Sequence, residues 1–388
     1  MTKHTTVFGD LLSHFSTSDF RTAVLKYKGD FRVRNFTCYD LFKAMLYGQA
    51  CGCYSVREIE TSMRVNQNRL YHAELRQPIK KSTFCDALEN RPQELFKDVF
   101  YAMVGKAQKI AGKKNKKFTI PLRIIDGTIL SLCIKRFDWA KYRVTKGAVK
   151  LHVNLDGDNL IPFDAYLTNG KVHETDMMEK LCQETGVIYD MDRGYVDYKS
   201  LYAIELQESV FVTRVKSNTA YKRIHINPHP NDGKILSDVL IELTGPKTKT
   251  YYPKPLRKIR YHDEETHKTL EFLTNDMKRG AQEIADIYKE RWQVELFFKW
   301  IKQHLKIKSF WGTSMNAVYS QIWVALILSI LLWINRTLNG ITASAYELLI
   351  MIKATVLTKN SLIGLCTNIS PPKPVNDSCQ LFLEGFKC

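Results

Sequence analysis

Two carboxylates stand directly after short apolar segments, where a folded chain holds a side chain firmly. Asp126 follows residues 122–125 and precedes a glycine, and Asp192 comes three positions after the last of the apolar residues 187–189. We expect both at the ends of buried strands. Carboxylates at the ends of neighbouring strands can share a divalent cation, because magnesium prefers oxygen ligands. The pair therefore predicts a metal site, and two turn-forming aspartates are the alternative.

A second set of polar side chains recurs with helical spacing within residues 281–306, which we expect to form one long helix. Tyr288, Arg291, Glu295 and Lys302 fall within an arc of roughly 60° at about 100° per residue. An exposed stripe with an Arg291–Glu295 ion pair is the alternative. Large apolar side chains flank the stripe and favour a helix that is mostly covered: Trp292, Leu296, Phe297, Phe298, Trp300 and Ile301.

These residues resemble the motifs of bacterial insertion-sequence transposases of the DDE superfamily, specifically the insertion-sequence-four type. The spacing of Tyr288, Arg291, Glu295 and Lys302 is similar to the Y-R-E-K signature of that family. Residues 126–128 (Asp-Gly-Thr) and 192–195 (Asp-Arg-Gly-Tyr) resemble its first and second aspartate motifs, in the same order. The resemblance covers about residues 118–306, and the helical N-terminal region is similar to the accessory domain of one subgroup.

The resemblance implies a catalytic triad of Asp126, Asp192 and Glu295. These carboxylates would hold two Mg²⁺ ions roughly 4 Å apart, with Mn²⁺ as a substitute. The implied activity is cut-and-paste transposition. The protein would bind the inverted terminal repeats of its insertion sequence, cut them by two-metal phosphodiester hydrolysis, and join the 3′-hydroxyls to target DNA. Its partners would be double-stranded DNA and, on that DNA, a second copy of the chain; no membrane and no small-molecule substrate are expected.

The resemblance also implies contacts to DNA near the transposon end. Arg291 would contact a phosphate through its bidentate fork and Lys302 as a point charge, with Tyr288 beside them. A flipped base would stack on Trp292 or another tryptophan. Five more cations are candidates for DNA contact, with general surface charge as the alternative for each: Arg193, Lys146, Lys150, Arg214 and Lys216.

Two positions depart from the family pattern. Asp190 lies two residues before Asp192 on the same face of a strand and competes for the second metal-binding position, although the Arg-Gly-Tyr context favours Asp192. His173 and Glu174 stand where relatives often have histidine followed by aspartate. Neither departure touches the triad.

The pattern of helices and strands expected around these residues predicts a mixed α/β (α+β) fold. The resemblance implies a ribonuclease-H-like catalytic domain with a β-strand insertion, preceded by an all-α N-terminal domain, with Asp126 on the first strand and Asp192 on the fourth. Short alternating segments after residue 118 suggest consecutive antiparallel strands, whereas residues 7–104 have helical periodicity. We expect four segments: a helical DNA-binding or accessory domain at 1–105, a basic linker at 106–117, the catalytic domain at 118–335 with an insertion at about 210–274, and a C-terminal helical segment and tail at 336–388.

Composition agrees with a globular protein that binds a polyanion. The 388 residues carry a net charge of +17, and 45% of them are hydrophobic. Nucleic acid is the first candidate partner, and an anionic membrane is the second. The apolar stretch 322–334 is expected to be a buried core helix, being too short to span a bilayer. A polar N-terminus indicates a cytoplasmic, nucleoid-associated protein, and nine scattered cysteines indicate reduced thiols.

Two alternatives to a transposase come from other classes. A sequence-tolerant metal-dependent nuclease would use the same triad but would not need terminal repeats. A domesticated DNA-binding regulator would keep the basic N-terminal helices, and the intact triad argues against it. A helix-turn-helix is one interpretation of residues 55–75 and the helix entered at 82–84, and ordinary helix packing is the other.

Overall fold

The computed structural model describes residues 6–75, 77–112, 118–229 and 233–367. These residues fall into two compact units, each made of separate chain segments. Unit 1 comprises Met1–Gly112, Leu130–Val149 and Leu296–Cys388, and unit 2 comprises Lys113–Ile129 and Lys150–Glu295. This division differs from the predicted boundaries at 105 and 335.

The helices lie mainly in unit 1. They are α1 Val7–Leu11, α2 Thr17–Lys26, α3 Cys38–Cys51, α4 Val56–Val65, α5 Gln67–Leu70, α6 Lys81–Asn90, α7 Gln93–Ala111, α8 Met178–Leu181, α9 Tyr198–Leu206, α10 Pro246–Tyr251, α11 Ala281–Glu290, α12 Trp292–His304, α13 Met315–Leu338, α14 Ala345–Thr355 and α15 Leu362–Thr367.

The strands lie mainly in unit 2. They are β1 Leu122–Leu132, β2 Lys141–Arg143, β3 Lys146–Asp156, β4 Ile161–Asn169, β5 Ile188–Met191, β6 Val210–Arg214, β7 Tyr221–Ile226, β8 Ile235–Leu243, β9 Leu256–Asp263 and β10 Lys268–Thr274.

Unit 1 is built around α13, which packs against α3, α6 and α7. This helix has 24 residues and is long and apolar enough to cross a membrane, yet 89% of its most apolar window is buried inside the protein. The argument that the apolar stretch is too short was wrong, because the helix extends beyond 322–334 at both ends. The interpretation as a core helix is confirmed by its burial.

The basic segment after residue 105 is partly helical. Helix α7 continues to Ala111 because Met103, Val104 and Ala107 keep its apolar face buried. The lysines at 106 and 109 are therefore helical, and not part of a linker as predicted. Residues 113–117, with the remaining linker lysines, lie outside the described residues, as does the C-terminal tail from residue 368. The described cysteines are free thiols.

Unit 2 contains a mixed sheet with the strand order of a ribonuclease-H-like fold. Strand β4 pairs with β3, and the order continues β3-β1-β5-β6. Strands β1, β5 and β6 are parallel. Because β6 pairs with β5, it belongs to this central part of the sheet, whereas the predicted insertion began at 210. The added strands are β7–β10, which extend the same sheet beyond β6 in the order β10-β9-β8-β7.

Two predicted boundaries near the site were wrong. Strand β1 does not end at Asp126 but runs on to Leu132, because Leu130 and Leu132 alternate with exposed residues in strand period. Gly127 is an in-strand glycine, and not a break. The helix predicted over 281–306 is divided at Arg291, whose N–H bonds to the Tyr288 carbonyl three residues back rather than four.

A buried ion pair joins β8 and β9 in the added strands. Arg257 contacts both oxygens of Asp238, at 2.9 Å through Nε and 2.6 Å through Nη2, and its Nη1 donates to the carbonyls of Asp276 and Arg279. Both side chains are less than a tenth exposed. The pair fixes the register of these strands.

We expect Asp238→Ala to destabilise unit 2 by about 3–5 kcal/mol, because it leaves a buried guanidinium without its carboxylate. The measurement is urea unfolding followed by fluorescence. The matched control on the same strand is Glu242→Ala, which breaks an exposed ion pair with Lys222 and should leave the unfolding midpoint nearly unchanged. Equal effects of the two substitutions would contradict a structural role for the buried pair.

Candidate active site

The parallel pairing of β1 and β5 places Asp126 and Asp192 side by side. Ile124 lies opposite Asp190 and Ile125 opposite Met191, so the next position pairs Asp126 with Asp192 just after β5 ends. Side chains alternate along a strand, and both aspartates therefore lie on the face that carries Ile124. The predicted juxtaposition holds, although Asp126 is inside a strand and not at its end.

The third carboxylate comes from the first turn of α12 and is joined to Asp126 through Arg291. The Arg291 guanidinium donates from Nη2 to Glu295 Oε1 at 2.6 Å, and its Nη1 lies 3.8 Å from Asp126 Oδ2. Only 17% of the Arg291 side chain is exposed. Arg291 lies at the junction of α11 and α12, which lets its side chain lie between a strand residue and a helix residue. The sequence offered the Arg291–Glu295 pair only within the alternative of an exposed stripe, and it did not predict the contact with Asp126.

Burial and neighbouring charges control the proton affinity of Asp126. Burial, together with the nearby carboxylates of Glu295 and Asp192, raises the pKa of Asp126 to about 6. The Gly127 N–H, 2.7 Å from Oδ1, and the charge of Arg291 oppose that increase. The three carboxylates are therefore close enough to interact electrostatically.

Asp190, the competitor for the second position, has a different environment. Its side chain is completely buried, and neither carboxylate oxygen has a hydrogen-bond partner among the described residues. Burial raises the pKa of Asp190 well above its ordinary value, against the opposing charge of Arg291. A protonated carboxyl is a poor ligand for a cation, whereas Asp192 is partly exposed at the end of β5. The structure favours Asp192.

The donor set fits a hard divalent cation by its chemistry. Asp126, Asp192 and Glu295 offer only carboxylate oxygens, which magnesium and manganese accept. Among the residues that the structure describes, no three His, Cys, Asp or Glu side chains are grouped closely enough to enclose an ion. Two of these carboxylates instead contact Arg291. A cation must therefore compete with that guanidinium or share the carboxylates with it.

A buried polar cluster packs against Gly127, the residue after Asp126 in β1. A Cβ at Gly127 would lie 3.1 Å from both His152 Nδ1 and the Tyr195 hydroxyl, and 3.3 Å from Lys150 Cε. His152 Nε2 is 3.0 Å from the Thr168 hydroxyl, and the Lys150 ammonium bonds to the Glu174 carboxylate. The glycine thus allows close packing beside Asp126, which sequence spacing alone did not show.

The other predicted DNA contacts differ in exposure. In unit 2, Arg193 is exposed, Arg214 and Lys216 are half-buried, and Lys150 is almost fully buried against Glu174. Lys216 donates to the Val196 carbonyl at 2.8 Å. The buried Tyr288 ring packs 4.9 Å from Phe272, and Trp292 is 49% exposed. Lys146 and Lys302 belong to unit 1, where Lys146 is exposed and Lys302 half-buried. Their contacts with DNA stay predictions.

His152 should make the protein sensitive to acid. Burial, followed by the charge of Lys150, lowers the pKa of His152 to about 4, so the folded protein holds this ring neutral. The unfolded chain takes up a proton near pH 6.5. Stability is therefore full above pH 6.5 and falls by about 3 kcal/mol as the pH drops to 4.

The check is the pH dependence of urea unfolding for wild type and His152→Gln. The variant should lose the part of the pH dependence between 6.5 and 4 that belongs to this ring. His173→Gln is the control, since His173 is exposed and lies in the loop after β4. An unchanged slope in His152→Gln would show that another group causes the acid sensitivity.

Comparison with known proteins decides the family. A family profile described as a transposase DDE domain matches residues 117–331, more than half of the chain. The chain belongs to the DDE transposase family. A second profile, for a domain of unknown function, matches residues 3–76 of the transposase. The family predicted from the motifs is confirmed, and the enzyme is a DNA transposase of the ribonuclease-H-like fold that depends on a divalent metal ion.

Relatives of the transposase come from several bacteria. It is 34% identical over 297 residues to a protein named as transposase y4zB of Sinorhizobium fredii, covering 76% of this chain and 81% of that one. It is 28% identical over 253 residues to a protein of Geobacillus stearothermophilus named as the transposase for insertion sequence element IS5377, covering 65% and 66%. A protein of Synechocystis named as the transposase for element IS4SA is 24% identical over 330 residues, covering 81% and 88%.

One solved structure similar to the transposase is a piggyBac transposase synaptic complex with hairpin DNA. The two share 11% sequence identity at a TM-score of 0.47, with 94% of this chain and 82% of that chain covered.

Proposed function

We propose that this transposase cuts DNA at the inverted terminal repeats of its own insertion sequence and inserts the element elsewhere. The observation that supports this most directly is the pairing of β1 with β5 beside Asp126 and Asp192, together with the contacts of Arg291 to both Asp126 and Glu295. We further propose that the element moves by cut-and-paste transposition in the bacterial cytoplasm, and that two copies of the chain act together because two ends must be held at once.

The three carboxylates would hold two Mg²⁺ ions, or Mn²⁺ in their place. Bound there, the metal would activate the attacking oxygen and stabilise the leaving oxygen of the phosphodiester. Asp126 and Asp192 are fixed by the pairing of β1 with β5, so they orient the site from a rigid sheet. Glu295 reaches the same place from α12, and Arg291 keeps its carboxylate turned toward Asp126.

Arg291 is the residue best placed to link DNA binding to this site. Its guanidinium already has two carboxylate contacts, and a phosphate can accept the same bidentate fork. Arrival of a phosphate would therefore draw the guanidinium away from one carboxylate. Tyr288, whose ring centroid lies 5.6 Å from the Arg291 guanidinium carbon, supports the arginine from α11.

Further DNA contacts in this proposal come from both units. Lys302 and Lys146 would bind phosphates from unit 1, and Arg193, Arg214 and Lys216 from unit 2. Trp292 is partly exposed directly after Arg291 and is a platform for a flipped base. The Lys150 ammonium is already paired with the Glu174 carboxylate, so Lys150 would contribute by positioning its neighbours and not by binding a phosphate.

The test uses purified protein and a labelled duplex that carries the inverted repeat flanking the coding sequence. We expect a cut confined to the repeat boundary, dependent on Mg²⁺ or Mn²⁺ and absent with EDTA. A duplex with a scrambled repeat is the control, and a denaturing gel separates nicks from a hairpin-sized product. Equal cutting of the scrambled duplex would instead support a sequence-tolerant nuclease, and binding without cutting would support a regulator.

A further inference from the structure

A groove in unit 1 is lined by three separate segments of the chain. Residues 54–57 at the start of α4 form one side with Lys81 of α6, residues 131–137 after the middle of β1 form the second, and residues 308–311 before α13 form the third. The enclosed volume is about 750 Å³. All these residues belong to unit 1.

The charged side chains of this groove are all positive. Arg57, Lys81, Arg136 and Lys308 line it, and no Asp or Glu is found among its described lining residues. All four are exposed, and none forms an ion pair with a described carboxylate. We call this surface the basic groove. Lys26 of unit 1 differs from these four, because it bonds to Asp98 at 2.6 Å.

The walls of the basic groove are fixed by aromatic contacts. Trp311 donates from Nε1 to the Cys53 carbonyl at 3.2 Å and packs edge-on against Phe84 at 6.0 Å. Phe137 packs edge-on against Phe310 at 6.1 Å. These contacts join the three segments, so the four cations extend from a rigid frame rather than from a mobile loop. Their mutual repulsion is therefore present in the folded protein before any partner binds.

The positive surface continues beyond the groove along the connection from β1 to β3. After Arg136, the exposed cations are Lys141, Arg143 and Lys146. Asp138 is the one acidic residue in the connection. An uncompensated cationic surface of this kind lowers its free energy by neutralising phosphates and releasing their counterions. Each of the four groove cations can neutralise a phosphate whatever the base sequence, so we expect the contact to be with the DNA backbone.

We propose that the basic groove binds the phosphate backbone of duplex DNA independently of sequence, as a site separate from the catalytic carboxylates. It would hold the duplex through Arg57, Lys81, Arg136 and Lys308. Tyr54 is 60% exposed at the rim, and the Lys306 ammonium lies 3.5 Å from the centroid of its ring, which adds a further positive charge beside the groove.

The test compares two double variants of the full-length protein that remove the same amount of charge. The groove variant is Lys81→Gln with Lys308→Gln. The matched control is Lys28→Gln with Lys359→Gln, which removes two exposed unit 1 lysines that do not line the groove. Binding to a labelled duplex is measured by fluorescence anisotropy in EDTA over a series of salt concentrations, so the result does not depend on cleavage. Thermal unfolding of each variant checks that it folds.

We expect the groove variant to bind about 10- to 100-fold more weakly near 0.1 M salt, with the slope of log affinity against log salt lower by about 2. The control should stay within about threefold of wild type. The loss should be the same on a duplex with the terminal repeat and on a scrambled duplex. Equal losses in the two variants would overturn the proposal, because net charge alone would then explain binding. A loss limited to the repeat duplex would overturn the sequence-independent contact.

Discussion

Glu295→Gln is expected to reduce metal-dependent DNA cleavage by at least about 10³-fold while leaving DNA binding in place. The substitution keeps the size of the side chain and removes its negative charge. It thereby removes the charged carboxylate that we propose as a metal ligand, and the 2.6 Å charged contact to Arg291. The measurement is single-turnover cleavage of the terminal-repeat duplex with Mg²⁺, with binding followed separately in EDTA.

Glu290→Gln is the matched control for this prediction. Glu290 is the last residue of α11, one position before Arg291, and is not a member of the proposed triad. The Glu290→Gln variant should cleave DNA at a rate within a few fold of wild type. Direct titration with Mn²⁺, read by electron paramagnetic resonance, should show weaker binding to Glu295→Gln than to the control. Normal cleavage by Glu295→Gln would remove this residue from the mechanism.

The local sequence was sufficient for the family, because its motifs depend on short spacings, whereas the roles of the three carboxylates stay predictions. Residues 126–128, 192–195 and 288–302 each lie in one or two elements, so the residue types and intervals already define them. The parallel register of β1 with β5 then brings Asp126 beside Asp192, as expected for strand-end positions. The order β3-β1-β5-β6 also agrees with the predicted ribonuclease-H-like class.

Long-range packing explains what the sequence did not show. Gly127 looked like a turn, but it allows His152 and Tyr195 to approach a continuous strand from another part of the chain. Lys150 looked like a surface cation, and its partner Glu174 is 24 residues away. The grouping of α13 with the N-terminal helices likewise depends on contacts between distant segments, which spacing along the chain does not reveal.

Asp192→Asn and Asp190→Asn should have opposite consequences, although the two aspartates are only two residues apart. Asp192→Asn should lower cleavage by at least about 10³-fold, because it removes a charged ligand from the partly exposed end of β5. Asp190→Asn should cut within a few fold of wild type. Asp190 is fully buried and its oxygens have no partner among the described residues, so it contributes no available charge.

The two substitutions should also differ in their effect on stability. An ionised Asp190 would be a fully buried charge, and burial raises the pKa of Asp190 well above its ordinary value. The pKa of Asp190 is higher in the folded protein than in the unfolded chain. The proton on Asp190 therefore stabilises the folded protein at low pH, and this stabilisation is lost as the pH rises through the folded-state pKa. Asp190→Asn should therefore raise the free energy of unfolding at pH 8 more than at pH 5, whereas Asp192→Asn should not show this difference.

Single-turnover cleavage and urea unfolding at both pH values test the two substitutions. Loss of cleavage in Asp190→Asn with retention in Asp192→Asn would assign the second ligand to Asp190, and would mean that this carboxylate becomes ionised and accessible when the site acts on DNA.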